Sequence, residues 1–386
     1  MAFLIPRRAA LTAAALLALA SGCGDGTSRG TPDRDKPSAT PAAPARRGFT
    51  LLATGDLLIH ASVIRQARAD AGGDGYDFRP MLAADEELVS SADVAICHME
   101  TVYGGDGGPY TGYPSFQSPP QIARAARDLG YDSCSTASNH TLDAGAEGVT
   151  RTLDAMDRAG LRHAGSARSA REARARTVLT AGGAEVVQLA YTYGTNGIPV
   201  PDGKPWLVNR IDPERIVRDA RAARRAGADV VVVSLHWGTE WQEAPDAFQR
   251  RVARALTASS TGGRRDIDVL IGTHAHVPQP YEKVNGVWVV YGMGDQLAGV
   301  MPDPRGQLSS AARFTFTPPA RPGAAWTVSE AEFIPHLVDN DPIRVVNLPR
   351  ALERKPGDPR YTEALATVRK TVLARGADRD GLTMGR

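Results

Sequence analysis

Two histidines stand one residue apart in the stretch IGTHAHVPQP, residues 271–280, directly after an apolar run and a glycine. Residues two apart on an extended chain point to the same side, so both imidazoles, His274 and His276, can be directed at one point. Imidazole nitrogens at that spacing suit a transition-metal ion. The alternative is a surface loop with two histidines, and the His-x-His pattern alone does not decide between them.

Polar side chains of the same kind follow four further apolar runs, each at the carboxyl end of a predicted strand. They are Asp56, Glu100, Asn139 and His236, with His98 and Glu240 as additional candidates beside the same strand ends. In α/β sheets, ligands gather beyond the carboxyl ends of the strands. Taken singly, Asp56 could be a helix N-cap and His236 a hydrogen-bonded core histidine. The convergence of five strand ends favours a shared site instead.

The predicted donor set mixes carboxylate, amide and imidazole groups. It is too hard for a copper–thiolate site and too rich in nitrogen for calcium. Two divalent ions of the Mn, Fe or Zn type fit it best, with Asp56 or Glu100 as the bridging carboxylate. A pair of ions about 3.5–4 Å apart binds a hydroxide and stabilises a phosphoryl or acyl oxygen during displacement.

A further histidine, His140, directly follows the candidate ligand Asn139. It is a candidate catalytic residue, because an imidazole beside the ions can protonate a leaving group or stabilise transition-state charge. Asp143, three residues later, is predicted to orient His140 through a hydrogen bond.

The elements that must position these residues alternate between short β-rich runs and helical stretches, starting at Phe49. Such alternation predicts an α/β domain in which helices cover sheets. Predicted hairpins over residues 176–193 and at Asn285–Gly286 indicate more than one sheet or a mixed sheet. The long Gly-, Pro- and aromatic-containing loops at 101–119 and 193–210 are predicted to wall a cleft.

The amino-terminal 22 residues have the pattern of a secretory signal, with two arginines before an apolar stretch. Cys23 after LASG resembles a lipobox, which predicts lipidation at Cys23 and a tether over residues 23–48. The alternative is a plain cleaved signal peptide. Either reading places the protein outside the cytoplasm, anchored to the membrane or secreted. A domain over residues 49–340 and a charged tail over 341–386 are predicted to follow.

The charge balance argues against nucleic acid as a partner. Forty-five basic residues face forty-three acidic ones, so the formal net charge is only +2. Outside the cytoplasm, a disulfide between the remaining cysteines, Cys97 and Cys134, is permitted. Both lie in apolar strand-like runs and nothing in the sequence fixes their distance, so buried thiols are the favoured interpretation and the disulfide stays open. A zinc–thiolate site is disfavoured, because no second cysteine lies near either one.

The chain resembles the CapA-type poly-γ-glutamate capsule-biosynthesis family over about residues 49–297. Six motifs carry the resemblance in the family's order: TGDLLI, ICHMET, SNHTLDAG, SLHWGTEW, GTHAHVPQ and YGMGDQL. The family is similar in fold to calcineurin-like metallophosphoesterases, which implies two mixed β-sheets flanked by helices around a two-metal site. It also implies ligand roles for Asp56, Glu100, Asn139, His236, His274 and His276, with His140 beside the metals.

Three positions depart from the family's pattern. His98 stands where the family usually has asparagine, and it is expected to add a ligand or alter metal selectivity. Asp295 replaces a common asparagine, and Ala275 replaces a common proline between the paired histidines. These last two are expected to change loop shape or polarity more than metal binding.

Two functions remain open from the sequence. The first is a membrane-tethered, metal-dependent hydrolase acting on a phosphoester or on the γ-glutamyl amide of an anionic polymer. The second is a non-catalytic accessory protein for polyglutamate or capsule polymer synthesis and export, with polymer synthase or export proteins as partners. A solute-binding lipoprotein is a weaker third reading, because no second α/β lobe is visible in the sequence.

Overall fold

The structure is a computed structural model that describes residues 46–321 and 323–386. Cys23, the signal peptide and nearly all of the tether lie outside the described residues, so lipidation and secretion stay predictions. Within the part that is described, no helix combines the length and the apolar character needed to cross a membrane.

The strands and helices follow the alternation that the sequence predicts. The strands are β1 Phe49–Leu57, β2 Val94–Met99, β3 Ser133–Ser135, β4 Arg162–Ala164, β5 Thr177–Ala181, β6 Ala184–Thr192, β7 Val230–His236, β8 Ser260–Thr261, β9 Arg264–Arg265, β10 Val269–Thr273, β11 Tyr281–Val284, β12 Val287–Val290, β13 Asp295–Leu297, β14 Leu308–Thr317, β15 Thr327–Asn340, β16 Ile343–Asn347 and β17 Leu382–Met384. The helices are α1 Ala61–Asp70, α2 Arg79–Leu82, α3 Glu86–Ser90, α4 Gln121–Leu129, α5 Gly145–Ala159, α6 Pro213–Arg225, α7 Ala247–Thr257, α8 Leu348–Arg354 and α9 Pro359–Val372.

Two mixed sheets form the centre of the fold. The larger sheet has the order β16-β15-β14-β1-β2-β3-β4, with β13 paired to β1 and β17 paired to β15. The smaller sheet has the order β11-β12-β10-β7-β6-β5. Parallel pairs such as β1–β2 and β7–β10 lie beside antiparallel pairs such as β1–β14 and β11–β12. The prediction of two mixed sheets flanked by helices is confirmed.

The two sheets pack face to face, and helices cover their outer faces. Leu51 and Ile96 of the larger sheet share a buried apolar cluster with Val232 and Ile271 of the smaller one. The opposite face of the larger sheet packs on α1, α4 and α5, and that of the smaller sheet on α6 and α7. Because β7 is covered on both sides, its sequence VVVVSLH is buried along its whole length.

The segment predicted as a charged tail is part of the fold. Strands β16 and β17 belong to the larger sheet, and α9 packs Val368 and Val372 into the cluster between the sheets. The domain therefore continues to Arg386, which corrects the boundary at residue 340. The sequence did not reveal that this segment belongs to the domain, because charged residues cover the exposed side of α9 and only a narrow apolar stripe lies on its buried side.

Cys97 and Cys134 form a disulfide, which corrects the expectation of two buried thiols. Parallel pairing of β2 with β3 sets the two residues directly opposite each other, with their Cα atoms 4.4 Å apart. Spacing along the chain carries no information about this register.

Gly272, in the strand that leads to the paired histidines, is expected to tolerate no side chain. A Cβ atom there would overlap the carbonyl oxygen of Tyr291 and would lie 2.6 Å from the indole nitrogen of Trp237. We expect Gly272→Ala to lower the free energy of unfolding by about 1–3 kcal/mol, as overpacking does in a dense core. Urea denaturation measures this. Gly105→Ala, at an open position, is the control, and equal stability of the two variants would contradict the prediction.

Candidate metal centre

The predicted ligands meet where strands of both sheets end. Strands β1, β2 and β7 carry Asp56, His98 and His236, and the loops that follow β2, β3 and β10 carry the others. Each of the following side chains is at most 6% exposed: Asp56, His98, Glu100, Asn139, His140, His236, His274, His276 and Asp295. The sequence prediction that these strand ends converge therefore agrees with their placement in the fold.

Asp56 lies at the centre of the group. Its Oδ1 is 3.6 Å from Nε2 of His98, and its Oδ2 is 3.9 Å from Nδ1 of His276. The backbone N–H of His274 donates a hydrogen bond to Oδ2 at 3.1 Å. A strand of the larger sheet is thus joined to a loop of the smaller one through a single carboxylate.

The other side of the group gathers around His236. Its Nε2 is 3.8 Å from Oε1 of Glu100 and 2.8 Å from Oδ1 of Asn139. The rings of His98 and His274 each have their centroid 4.7 Å from that of His236. His236 therefore belongs to two groups of possible ligands, one with Asp56 and His98 and one with Glu100 and His274.

Six buried polar atoms in this group have no hydrogen-bond partner. They are Oδ1 of Asp56, Nε2 of His98, Oε1 and Oε2 of Glu100, Nδ1 of His274 and Oδ2 of Asp295. A buried acceptor without a partner costs about 1–3 kcal/mol, and more when it is charged. Each of the six is a carboxylate oxygen or an imidazole nitrogen, which are donor types that bind divalent cations. The residues present therefore fit a metal centre.

The pKa shifts of these side chains also favour a bound cation. Burial raises the pKa of Asp56 to about 8, and repulsion from Asp295 acts in the same direction. Burial also raises the pKa of Glu100 and lowers that of His98 to about 3. Burial opposes charge on His276 as well, but Asp295 and Glu100 outweigh it and raise its pKa. A bound cation would supply the positive charge that keeps these carboxylates ionised.

The paired histidines are not on extended chain, which corrects one step of the sequence argument. His274 has φ 93° and His276 has φ 55°, so both adopt the left-handed region. Residues other than glycine adopt this region only at an energetic cost, and such strain concentrates at functional sites. The tight turn directs both rings into the group, with centroids 5.9 Å apart.

His140 and Asp143 form a pair beside the group. Nδ1 of His140 lies 2.7 Å from Oδ2 of Asp143, and the same oxygen accepts the backbone N–H of Phe116 at 2.7 Å. Since the carboxylate can only accept, His140 carries its proton on Nδ1 and presents Nε2 elsewhere. The Phe116 ring packs edge-on against the imidazole, at 4.7 Å between centroids.

The long loops predicted to wall a cleft do lie beside the group. Tyr193, 37% exposed, packs its ring 4.5 Å from that of His274. Asn196 in the same loop accepts a hydrogen bond from the amide of Asn139 at 3.2 Å. Glu240 is exposed, and one of its carboxylate oxygens lies within 4.8 Å of ligand atoms of His274 and His276.

Asp295 belongs to the group, although the sequence predicted that it changes loop shape or polarity more than metal binding. Parallel pairing of β13 with β1 sets Asp295 opposite Asp56, and its Oδ1 lies 2.9 Å from Nδ1 of His276. Asp295 is therefore itself one of the possible ligands of the cluster. A signal was present in the sequence, since Gly294-Asp295 repeats the glycine–aspartate pair Gly55-Asp56 of the first strand.

Fold and site together define an α/β sandwich whose strand ends carry a carboxylate–imidazole cluster suited to divalent metal. The model of one family, described as "Bacterial capsule synthesis protein PGA_cap", matches residues 50–300. The chain belongs to this family, and the resemblance to CapA-type proteins is confirmed.

Curated relatives carry names from the same field. The "PGA biosynthesis protein CapA" of Bacillus subtilis is 27% identical over 181 residues, which is 46% of this chain and 46% of that protein. A "Probable polyglutamine synthesis accessory protein" of Mycobacterium tuberculosis is 29% identical over 219 residues, covering 53% of this chain and 56% of that protein. The chain thus matches these relatives over about half of their length.

Solved structures that this fold resembles include a phosphoesterase and a nucleotidase. A calcineurin-like phosphoesterase of Bacillus subtilis, YfkN, is 14% identical with a TM-score of 0.44, over 84% of this chain and 100% of that chain. A putative 5'-nucleotidase of Staphylococcus aureus is 16% identical with a TM-score of 0.46, over 80% of this chain and 58% of that chain.

Proposed function

We propose that this protein is a metal-dependent hydrolase of capsule, poly-γ-glutamate or related envelope polymer metabolism. The bond it cuts is a phosphoester or a γ-glutamyl amide. The observation that carries the proposal is the set of buried, unpartnered donor atoms on Asp56, Glu100 and His274. The His140–Asp143 pair follows the candidate ligand Asn139 in the chain, and Asn139 contacts His236 of the same group. A structural ion needs only a closed ligand set, whereas a proton-transferring pair beside the ions is a feature of catalysis.

Each part of the centre has a role in such a reaction. Asp56, Glu100, Asn139, His236, His274 and His276 would hold two divalent ions of the Mn, Fe or Zn type. Bound ions supply an activated water and polarise the phosphoryl or acyl oxygen. His140, oriented by Asp143, would protonate the leaving group through Nε2 when the ring carries a proton on both nitrogens, and it would regain that proton from water afterwards. The loop that carries Tyr193 limits access of water and substrate from one side.

The second candidate is an accessory protein for polymer synthesis or export. The name of the mycobacterial relative, which describes a probable accessory protein of polyglutamine synthesis, favours this candidate. Here the metal centre would grip carboxylates of an anionic polymer such as polyglutamate, and the partners would be polymer synthase or export proteins. The two candidates differ in whether a bond is broken.

The proposal includes a location at the outer side of the cytoplasmic membrane. It is supported by the signal-like residues 1–22, by Cys23 and by the Cys97–Cys134 disulfide. Cys23→Ser should move the protein from the membrane fraction to the soluble extracellular fraction. A variant that stays in the membrane fraction would contradict a lipid anchor at Cys23.

The deciding experiment combines metal analysis with turnover. The purified chain, loaded with Mn²⁺ or Zn²⁺, is assayed on bis-p-nitrophenyl phosphate and on a γ-glutamyl oligomer, before and after chelation. Turnover that chelation abolishes and metal restores supports the hydrolase. Bound metal without turnover of either substrate, together with stimulation of a polymer synthase, supports the accessory protein and overturns the hydrolase.

Tyr193 is expected to contribute to substrate binding. Its ring lies on His274 at the edge of the centre and remains partly exposed. A substrate group packed on the exposed part of this ring would gain about 0.5–1.5 kcal/mol, so Tyr193→Ala should lower kcat/KM by about 2- to 12-fold. Tyr193→Phe keeps the ring and is expected to remain near wild type. Equal losses in both variants would assign the effect to the hydroxyl group instead.

A further inference from the structure

The donor atoms of the centre divide into two halves of unlike chemistry. The acidic half consists of Asp56, Glu100, Asp295 and His276, whose ligand atoms lie within 4.8 Å of one another. The imidazole half consists of His98, His236 and His274. Ligand atoms of His98 and His236 lie within 4.8 Å of one on Asp56, and those of His236 and His274 within 4.8 Å of one on Glu100. The two carboxylates Asp56 and Glu100 are shared between the halves.

We propose that Asp295 and His98 are metal ligands, and that they make the two halves select different ions. The acidic half would prefer a hard ion such as Mn²⁺, and the imidazole half would prefer Zn²⁺. The inference rests on the proposed metal centre, but it does not depend on hydrolysis.

The environment of Asp295 is that of a ligand. The side chain is fully buried, Oδ1 is held 2.9 Å from Nδ1 of His276, and Oδ2 has no partner. Main-chain pairing with Asp56 aims both carboxylates at the same space. An asparagine here would keep the contact to His276 through its carbonyl oxygen. It would replace the second oxygen by an amide nitrogen, which has no lone pair for a metal.

The environment of His98 fixes which nitrogen is free. Nδ1 lies 2.6 Å from Oγ of Ser135, and that hydroxyl lies 3.5 Å from the carbonyl oxygen of Cys97. With the hydroxyl donating to the carbonyl, Nδ1–H donates to Ser135 and Nε2 keeps its lone pair. This Nε2 is buried, has no partner and lies 3.6 Å from Oδ1 of Asp56. Hydrogen bonding of the second nitrogen is how proteins orient ligating histidines.

The donor types decide the selectivity. Carboxylate oxygens suit Mn²⁺ and similar hard ions, whereas imidazole suits Zn²⁺. Zn²⁺ binds more tightly than Mn²⁺ at nearly any site, so Mn²⁺ competes best where nitrogen donors are fewest. The acidic half, with three carboxylates and one histidine, has the fewest nitrogen donors. Asp295 adds a carboxylate to the acidic half, and His98 adds a nitrogen donor to the imidazole half.

The test measures metal binding directly. The purified full-length chain and its variants are titrated with Mn²⁺ alone and Zn²⁺ alone by calorimetry. Bound ions are counted by elemental analysis, and bound Mn²⁺ is observed by electron paramagnetic resonance. We expect Asp295→Asn to weaken Mn²⁺ binding by about 10- to 100-fold or more, with a much smaller effect on Zn²⁺. His98→Gln should do the reverse.

Two further variants keep the test decisive. Asp266→Asn removes another buried carboxylate, which pairs with Arg221 at 2.9 Å and belongs to none of the ligand groups, so it should bind both ions as wild type does. Asp295→Ser provides a second removal of the charge if the asparagine variant does not fold. Folding of every variant is followed by circular dichroism.

The inference is overturned if either Asp295 variant folds and binds Mn²⁺ as wild type does. It is equally overturned if Asp295→Asn and His98→Gln weaken both ions to the same extent. Absence of turnover on every substrate would defeat the proposed hydrolase and leave this result unaffected. A symmetric pair of sites in an active hydrolase would defeat only the present inference.

Discussion

His276→Ala is expected to lose bound metal and hydrolytic activity together while the fold survives. The ring lies between the carboxylates of Asp56 and Asp295, with Nδ1 at 3.9 Å and 2.9 Å from their oxygens. Removing an outer hydrogen-bonding partner of a ligand costs about 10- to 100-fold in metal affinity. Loss of a ligand should exceed that, so metal affinity should fall by more than about 100-fold.

Metal content by elemental analysis, circular dichroism and activity on the same preparation check this prediction. Val277→Ala is the matched control, because it removes a fully buried neighbouring side chain without touching a donor atom. It should be less stable and yet retain its metal, which separates loss of a ligand from loss of packing. Metal content of His276→Ala equal to that of the control would count against the centre as a whole.

The order of elements was predictable because each depends on local pattern. Strand β7 is a continuous apolar run, and α4 and α5 end at Gly130 and Gly160 in the left-handed conformation, as helices commonly do. The turn at Asn285–Gly286 joins β11 and β12 as its dipeptide predicts. None of these features requires knowledge of distant parts of the chain.

Features that depend on register between distant strands were missed. The Cys97–Cys134 disulfide and the placement of Asp295 both follow from which residue lies opposite which in the larger sheet. A shift by one residue would turn each side chain to the other face. Sequence patterns indicate that a strand exists, but they do not fix its register against a strand many residues away.

The candidate site was predictable in outline for a topological reason. The carboxyl ends of parallel strands lie at one edge, so polar residues after several strands gather there whatever the strand order. The conformation at His274 and His276 was not predictable from that rule, since both have positive φ. The spacing of the two histidines identified them as candidates, but the backbone conformation at these residues determines where their rings lie.

His140→Ala is expected to retain its metal and, on esters with a basic leaving group, to lose activity by about 10²- to 10⁴-fold, the usual contribution of a positioned general acid. The imidazole belongs to none of the ligand groups, and its Nδ1 is occupied by Asp143 at 2.7 Å. Its removal should therefore leave metal content unchanged. Asp143→Asn should cause a smaller loss, because the histidine remains and only its orientation and charge environment change.

The identity of the leaving group gives this prediction its sharpest test. A general acid matters most when the leaving oxygen is basic, because that oxygen needs the proton in the transition state. The loss caused by His140→Ala should therefore be large for a phenyl or alkyl phosphoester and small for a p-nitrophenyl ester. Equal losses on all esters would assign His140 to charge stabilisation instead of proton transfer. If His140→Ala loses its metal, the His140 ring is a metal ligand, and neither proton transfer nor charge stabilisation would describe its role.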